Sequence, residues 1–369
     1  MEIRTLRDFL YSLVGWKVQL PRPREELEIR SGMINGNEYE FYNDRVTQKT
    51  GSEGGIWLFL ADSHGHTPIL KRLCEKGIQV CEERHKKLTG IVHLGDFAQI
   101  IRKNSKYNKD KSDVDEMIEG MEAIAEFGLP FPFIPGNQDL KDSYRTAVIN
   151  IMERFGNALD MSDVSGRSIF EGRGYNFIFN HWGDDFTYRT EIGYRGNKEI
   201  DLIGVNARKI TNGNLKILCT HVPLKGRGKL GIDLALRKAV ETGESAINWN
   251  MESNGIHSCA AAHLSENGGR AFDKDFNRVF PGSFVESANV SVGASSPWQY
   301  LKEDLDETDE HWGGKCYEGM ANLIEISQGL ISFQPIYLNE CELDEDYNVK
   351  KVLHPHPKEK RVGGVILPR

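Results

Sequence analysis

The chain has no long hydrophobic run. Its longest apolar stretches, such as Ile56–Ala61, fall far short of the ~20 residues a membrane-spanning helix needs, so no membrane span is expected. Positive charge is not in excess either. The 46 Lys and Arg residues face 54 Asp and Glu, a net charge of −8 that argues against a basic coat for nucleic acid. Cysteine is sparse: the six residues at 74, 81, 219, 259, 316 and 341 form no CxxC pair. The N-terminal stretch carries Glu2, Arg4, Arg7 and Asp8 within its apolar residues and does not read as an export signal. Reduced, buried thiols and a cytoplasmic location are therefore expected, and a disulfide framework is not. A Walker phosphate loop, a G-x-S-x-G elbow, an H-E-x-x-H helix and an EF-hand loop are all missing, which removes the chemistries those motifs carry.

What is present is the material of an ordered α/β chain. At 369 residues the length suits one large domain with additions. Residues 1–54 read as an N-terminal extension, because Ile3, Leu6, Phe9, Leu10, Leu13 and Val14 recur at the spacing of an amphipathic helix that Pro21 and Pro23 then stop. Residues 55–340 read as the main domain. The short apolar runs Ile56–Ala61, Gly90–Leu94 and Phe131–Pro135 alternate with helical stretches such as Pro68–Glu82 and Val114–Phe127. Further strands are expected at Tyr175–Phe179, Ile200–Val205, Leu215–Thr220 and Ile256–Ala262, and a terminal hairpin at Asn322–Ile326 and Leu330–Leu338. Apolar strands alternating with helices give a layered α/β domain. Residues 341–369 turn polar and read as a C-terminal surface tail.

The polar residues that carry chemistry stand at the ends of those strands. Asp62-Ser63-His64 follows the first, Gly95-Asp96 the second and Gly136-Asn137-Gln138-Asp139 the third, while His221 and His263 each follow a later strand. Carboxyl ends of strands are where open α/β sheets build sites. Aspartate, asparagine and histidine are ligands of hard and borderline divalent ions, and cysteine is absent from the set. A central carboxylate such as Asp96 can bridge two ions, which clamp a phosphoryl oxygen and supply hydroxide near neutral pH.

These five motifs, in this order, resemble the calcineurin-like metallophosphoesterase superfamily: D-x-H, G-D, G-N-H-D/E, a lone H and G-H-x-H, matched here by Asp62-Ser63-His64, Gly95-Asp96, Gly136-Asn137-Gln138-Asp139, His221 and Ala262-His263-Leu264-Ser265. The turn Pro281-Gly282-Ser283 also fits. The resemblance covers about residues 56–338. It implies a four-layer α/β/β/α sandwich of two mixed β-sheets flanked by helices. It further implies two divalent metal ions (Mn2+, Fe2+/Fe3+ or Zn2+) and hydrolysis of a phosphate mono- or diester by a metal-bridging hydroxide. Carried over residue by residue, Asp62, His64 and Asp96 would hold the first metal, and Asp96, Asn137, His221 and His263 the second. Asp96, Asn137, Gln138 and Asp139 would form the catalytic group, with Asp139 orienting its neighbours.

Two departures bear on the chemistry. Gln138 stands where many members have the histidine that donates a proton to the leaving group, and glutamine cannot do so. Ser265 stands where the last motif has its second histidine, so the first metal has one protein ligand fewer unless Glu266 substitutes; alternatively, His263 is that second histidine and Ala261 occupies the place of the first. Lys225, Arg227 and Lys229, just past His221, are candidate phosphate contacts, and Arg102–Lys111 sums to +4 and can draw anionic substrate. Two other classes stay open beside the phosphoesterase: a nuclease acting on DNA, and a non-catalytic scaffold with a depleted metal site. Outside the motifs, His93 reads as a core histidine, His66 as an exposed loop residue, His181 as part of a turn after a strand, and His257 as structural.

Overall fold

The computed structural model describes residues 29–98, 112–181, 197–226, 232, 234–235, 240–241, 245–264, 267–296, 299–301, 315–343, 349–352, 361–362 and 365–366. The expected N-terminal helix, the basic loop Arg102–Lys111, and Arg227, Lys229, Ser265 and Glu266 lie outside them. The chain begins with β1 (Arg30–Ile34), β2 (Asn37–Phe41) and β3 (Arg45–Gln48). It continues through β4 (Gly55–Leu60), α1 (Thr67–Glu83), β5 (Gly90–His93), α2 (Asp113–Ala125), β6 (Phe131–Phe133), α3 (Lys141–Arg154) and β7 (Ala158–Asp160). Next come β8 (Ile169–Glu171), β9 (Tyr175–Asn180), α4 (Asn197–Lys209), β10 (Leu215–Thr220), β11 (Leu234–Ala235), β12 (Val240–Glu241), α5 (Ser245–Ser253), β13 (Ser258–Ala261), β14 (Ala271–Phe272), β15 (Arg278–Val279) and β16 (Asn289–Ser291). It closes with β17 (Gln299–Leu301), β18 (Lys315–Tyr317), β19 (Met320–Ser327), β20 (Leu330–Tyr337), β21 (Glu340–Leu343), β22 (Val349–Val352), β23 (Arg361–Val362) and β24 (Val365–Ile366).

Two mixed sheets dominate. One has six strands in the order β20-β19-β4-β5-β6-β7, the other ten in the order β1-β2-β3-β8-β9-β10-β13-β16-β14-β15. Strand β4 explains the layering. Its alternate residues Trp57 and Phe59, with Ala61 beyond, pack between the sheets against Tyr175, Phe177 and Cys219. Ile56, Leu58 and Leu60 face the opposite way and pack under α1, α2 and α3 through Leu70, Leu73, Met117, Met121 and Val148. A strand buried on both faces needs such an unbroken apolar run. On the outer face of the ten-stranded sheet, Ile178, Leu218 and Cys259 meet Ile203 and Ala207 of α4 and Ile247 and Met251 of α5. Helix, sheet, sheet, helix is the four-layer sandwich. Cys74, Cys81, Cys219 and Cys259 are buried free thiols, and none of the described helices is long and apolar enough to cross a membrane.

Two segments depart from the expectations. Ile200–Val205 is not a strand but the middle of α4. Ile203 and Ala207, four apart, are buried while Leu202 and Val205 are exposed, so the run is one flank of a helical stripe rather than a pleat. Residues 30–48, within the expected extension, build the antiparallel β1-β2-β3 edge of the large sheet. Tyr39 and Val46 enter the inter-sheet core. β3 joins β8 in parallel, where Arg45 pairs with Glu171 at 2.6 Å. Past residue 340, β21 pairs with β18 and β22. The terminal hairpin forms as β19 and β20, antiparallel, with β19 against β4.

Candidate metal centre

The parallel strands deliver their carboxyl ends to one rim. In the six-stranded sheet Leu60 is level with His93, and His93 with Phe133. In the facing sheet Thr220 is level with Ala261. Asp62, Asp96, Asn137, His221 and His263 therefore leave their strands within a few residues of one level. The backbone turns sharply there. Asp62 (φ 51°), His64 (φ 45°), Asp96 (φ 60°) and His263 (φ 69°) all adopt left-handed conformations. Such conformations in residues with a Cβ cost about 1–3 kcal/mol each and gather where a site needs them.

The loops interlock through main-chain contacts. The Asp62 N–H donates to the Gly95 carbonyl at 2.9 Å and the His64 N–H to the Asp96 carbonyl at 3.0 Å. Asp139 lies beneath the Asp96 and Gly136 loops, with no exposed surface. Its carboxylate accepts four main-chain bonds, from Asp96 (2.9 Å), Phe97 (2.9 Å), Ala98 (3.1 Å) and Gly136 (2.8 Å). Burial pushes its carboxyl upward, against which the N–H donors hold the anion. Asp139 thus ties two loops together rather than offering a free ligand atom. Gln138 contributes its backbone N–H, which donates to Asp96 Oδ1 at 2.7 Å. Gly95 and Gly136 let these loops touch: a Cβ on Gly95 would stand 2.3 Å from the Gly136 nitrogen, and one on Gly136 would stand 2.2 Å from Asp96 Oδ1. Gly136→Ala should therefore displace the Asp96 carboxylate and weaken divalent-ion binding about 10–100-fold, the usual cost of disturbing a ligand's support. Titration calorimetry with Mn2+ checks this, and unchanged affinity would separate Asp96 from ion binding.

Among the described residues, the Asp, Glu, His and Cys ligand atoms that all lie within 4.8 Å of one another belong to Asp62, Asp96 and His221, each buried. His221 Nε2 stands 3.5 Å from Asp96 Oδ2, and its Nδ1 stands 3.9 Å from Asp62 Oδ1. Its Nδ1 also lies 2.7 Å from the Leu94 carbonyl, which fixes that nitrogen as the protonated one and turns Nε2 toward the acids. Asn137 Oδ1 lies 2.7 Å from His221 Nε2 and 3.0 Å from His263 Nδ1. The His263 N–H donates to Asp62 Oδ2 at 3.1 Å. His64 and His263 fall outside the 4.8 Å set, though His263 joins it through Asn137.

Charge is the unusual feature of this cluster. Two buried carboxylates both face His221, and His64 also favours the anion of Asp96. Burial raises Asp62 to about 7. Burial also works against ionisation of Asp96, but His221 brings it down to about 2. Burial disfavours charge on His221, yet Asp96 and Asp62 lift it to about 9. Its proton sits where a metal cation would neutralise the same acids, so ion binding would release it. His263 is held neutral by burial, lowered to about 4, the state a ligand requires. An uncompensated buried carboxylate costs several kcal/mol, so this donor set fits a divalent cation.

Lys225 is exposed, and Asn248 of α5 grips its backbone through two bonds of 2.8 Å. His66 is half-buried at the head of α1 rather than exposed. His93 is fully buried, stacked on Phe97 with centroids 3.8 Å apart, and its Nδ1 accepts the Gly95 N–H. His257 is exposed just before β13. Sequence spacing did not point to the Leu94 carbonyl, which acts through its backbone, nor to Glu116 of α2, a buried acid whose carboxyl packs against Gly65 in the Asp62–His66 loop.

No protein-family model matches the chain, and no curated protein matches its sequence. Solved structures do match in fold. One has TM-score 0.51 at 13 % identity, over 76 % of this chain and 98 % of that one. The protein TT1561 of Thermus thermophilus has TM-score 0.46 at 12 % identity, over 76 % and 98 %. The purple acid phosphatase PPD1 from yellow lupin seeds has TM-score 0.45 at 11 % identity, over 82 % of this chain and 56 % of its own. At these identities the likeness is one of fold. The four-layer sandwich agrees with the fold that the sequence motifs led one to expect.

Proposed function

We propose that this protein is a divalent-metal-dependent phosphoesterase that hydrolyses a phosphate mono- or diester. The observation that carries the proposal is the buried Asp62–Asp96–His221 cluster, extended by Asn137 and His263, at the carboxyl ends of strands from both sheets. Asp62, His64 and Asp96 would hold one ion, and Asp96, Asn137, His221 and His263 the other. Ions bound there would polarise the phosphoryl oxygens and lower the pKa of a coordinated water. The chain's own part is positioning. Asp139 fixes the Asp96 and Asn137 loops against each other, and the Leu94 carbonyl holds His221 in the tautomer that presents Nε2. Lys225, with Arg227 and Lys229 beyond it, would meet the anionic substrate.

The test is to strip the protein with chelator, reload it with Mn2+, Zn2+ or Fe2+, and assay nitrophenyl phosphate mono- and diesters. Turnover that follows metal loading is expected. No turnover with any ion, together with fewer than one ion bound per chain, would favour the scaffold on the same fold.

A further inference from the structure

One group of ionisable side chains near the same strand ends lies outside the proposed metal cage. His181 stands one residue past β9. Asn180 is level with Thr220 on the neighbouring parallel strand, and His181 and His221 are the residues that follow them. Neighbouring strands run about 5 Å apart, so the two histidines leave their sheet from adjacent strand ends. Both histidines cross to the other sheet. His221 meets the Leu94 carbonyl and Asn137, whereas His181 Nε2 meets Asp163 Oδ1 at 3.4 Å. Asp163 follows β7, the neighbour of β6, and its other oxygen pairs with Lys141 of α3 at 3.2 Å. Lys141 is two residues beyond Asp139. The Lys141–Asp163–His181 group thus flanks the cage one strand out in both sheets. The His181 side chain is 18 % exposed, against 2 % for His221, so solvent reaches it.

Ester hydrolysis creates a need at this place. When the P–O bond breaks, its electron pair passes to the leaving oxygen, and an alkoxide leaves slowly without a proton. Gln138, beside the ligand Asn137, has no proton to give. His93 is sealed in the core, and His66 heads α1.

We infer that His181, held by Asp163, is the acid that protonates the leaving group. This rests on the phosphoesterase reading. The attacking water forms the new P–O bond and releases one proton to solvent. The bond to the leaving group breaks, and the leaving oxygen takes the proton from the His181 imidazolium. His181 is left neutral, Asp163 keeps its charge, and a solvent proton restores the imidazolium. Lys141, on the second oxygen of Asp163, is a positioning residue.

The test is His181→Asn and Asp163→Asn in the metal-loaded protein, assayed on a nitrophenyl ester, whose leaving group needs no proton, and on the matching alkyl ester, whose leaving group does. For His181→Asn, kcat on the alkyl ester should fall about 10²–10⁴-fold, the worth of a positioned general acid. The nitrophenyl ester should lose less than about tenfold, and bound metal per chain should stay unchanged. Asp163→Asn should show the same asymmetry, reduced in size. Equal losses on both esters, or no loss on the alkyl ester, would overturn the assignment. Loss of bound metal in both variants would place the group in the fold of the cage instead and would overturn it too. Failure of the wild-type, metal-loaded protein on both esters would remove the phosphoesterase reading itself, and this assignment with it.

Discussion

Asp96→Asn is expected to lower kcat by at least about 10³-fold on any ester the protein hydrolyses, since losing several kcal/mol of ion-derived stabilisation costs a decade per 1.4 kcal/mol. On the proposed reading, Asp96 is the residue that would reach both ions. Its Oδ1 is fixed by the Gln138 N–H at 2.7 Å, and its Oδ2 faces His221 Nε2 at 3.5 Å. Asparagine keeps an oxygen for the Gln138 bond and nearly the same shape, so the loop should stay in place while the charge is lost. His221 also loses the neighbour that most favours its protonated form. The measurement pairs kcat in Mn2+ with the metal content of the purified variant. Activity and metal should fall together, and an unchanged kcat would rule out ion-assisted hydrolysis at this rim.

Asp139→Asn should damage the same centre by another route. The Asp139 carboxylate accepts four main-chain N–H groups, two on each oxygen, with no exposure to solvent. An amide replaces one oxygen with an NH2 group that faces two donors and can accept from neither. At about 1–3 kcal/mol for each buried donor left unsatisfied, the variant should lose on the order of 3 kcal/mol of stability. Urea unfolding of the metal-free protein isolates that effect from ion binding. A midpoint equal to wild type would mean that the Asp96 and Asn137 loops are held by something other than Asp139.

The strand ends were legible because each apolar run stops where its first polar residue is needed. Ile56–Ala61 ends at Asp62, and Leu215–Thr220 ends at His221. The convergence of Asp62, Asp96, Asn137, His221 and His263 followed from parallel strands sharing an end. The left-handed turns at Asp62, His64, Asp96 and His263 carry no such signal, because Asp and His, though enriched in that region, adopt it at only a small minority of positions. Ile200–Val205 misled because a short β-branched run has the same local composition in a strand and on the flank of a helix, and only Ile203 and Ala207 packing under the sheet distinguishes them. The β1-β2-β3 edge was missed because strands of four or five residues with polar outer faces, such as Glu38 and Glu40 either side of Tyr39, lack an apolar run. The Lys141–Asp163–His181 group joins positions 22 and 18 residues apart that only β7 and β9 bring together.

Crystals grown with Mn2+ and measured by anomalous scattering bear most directly on the metal cage. Two peaks are expected, one among Asp62, His64 and Asp96 and one among Asp96, Asn137, His221 and His263. A map with no peak at this rim, in crystals whose solution binds and turns over no ester, would contradict the cage and the hydrolysis built on it.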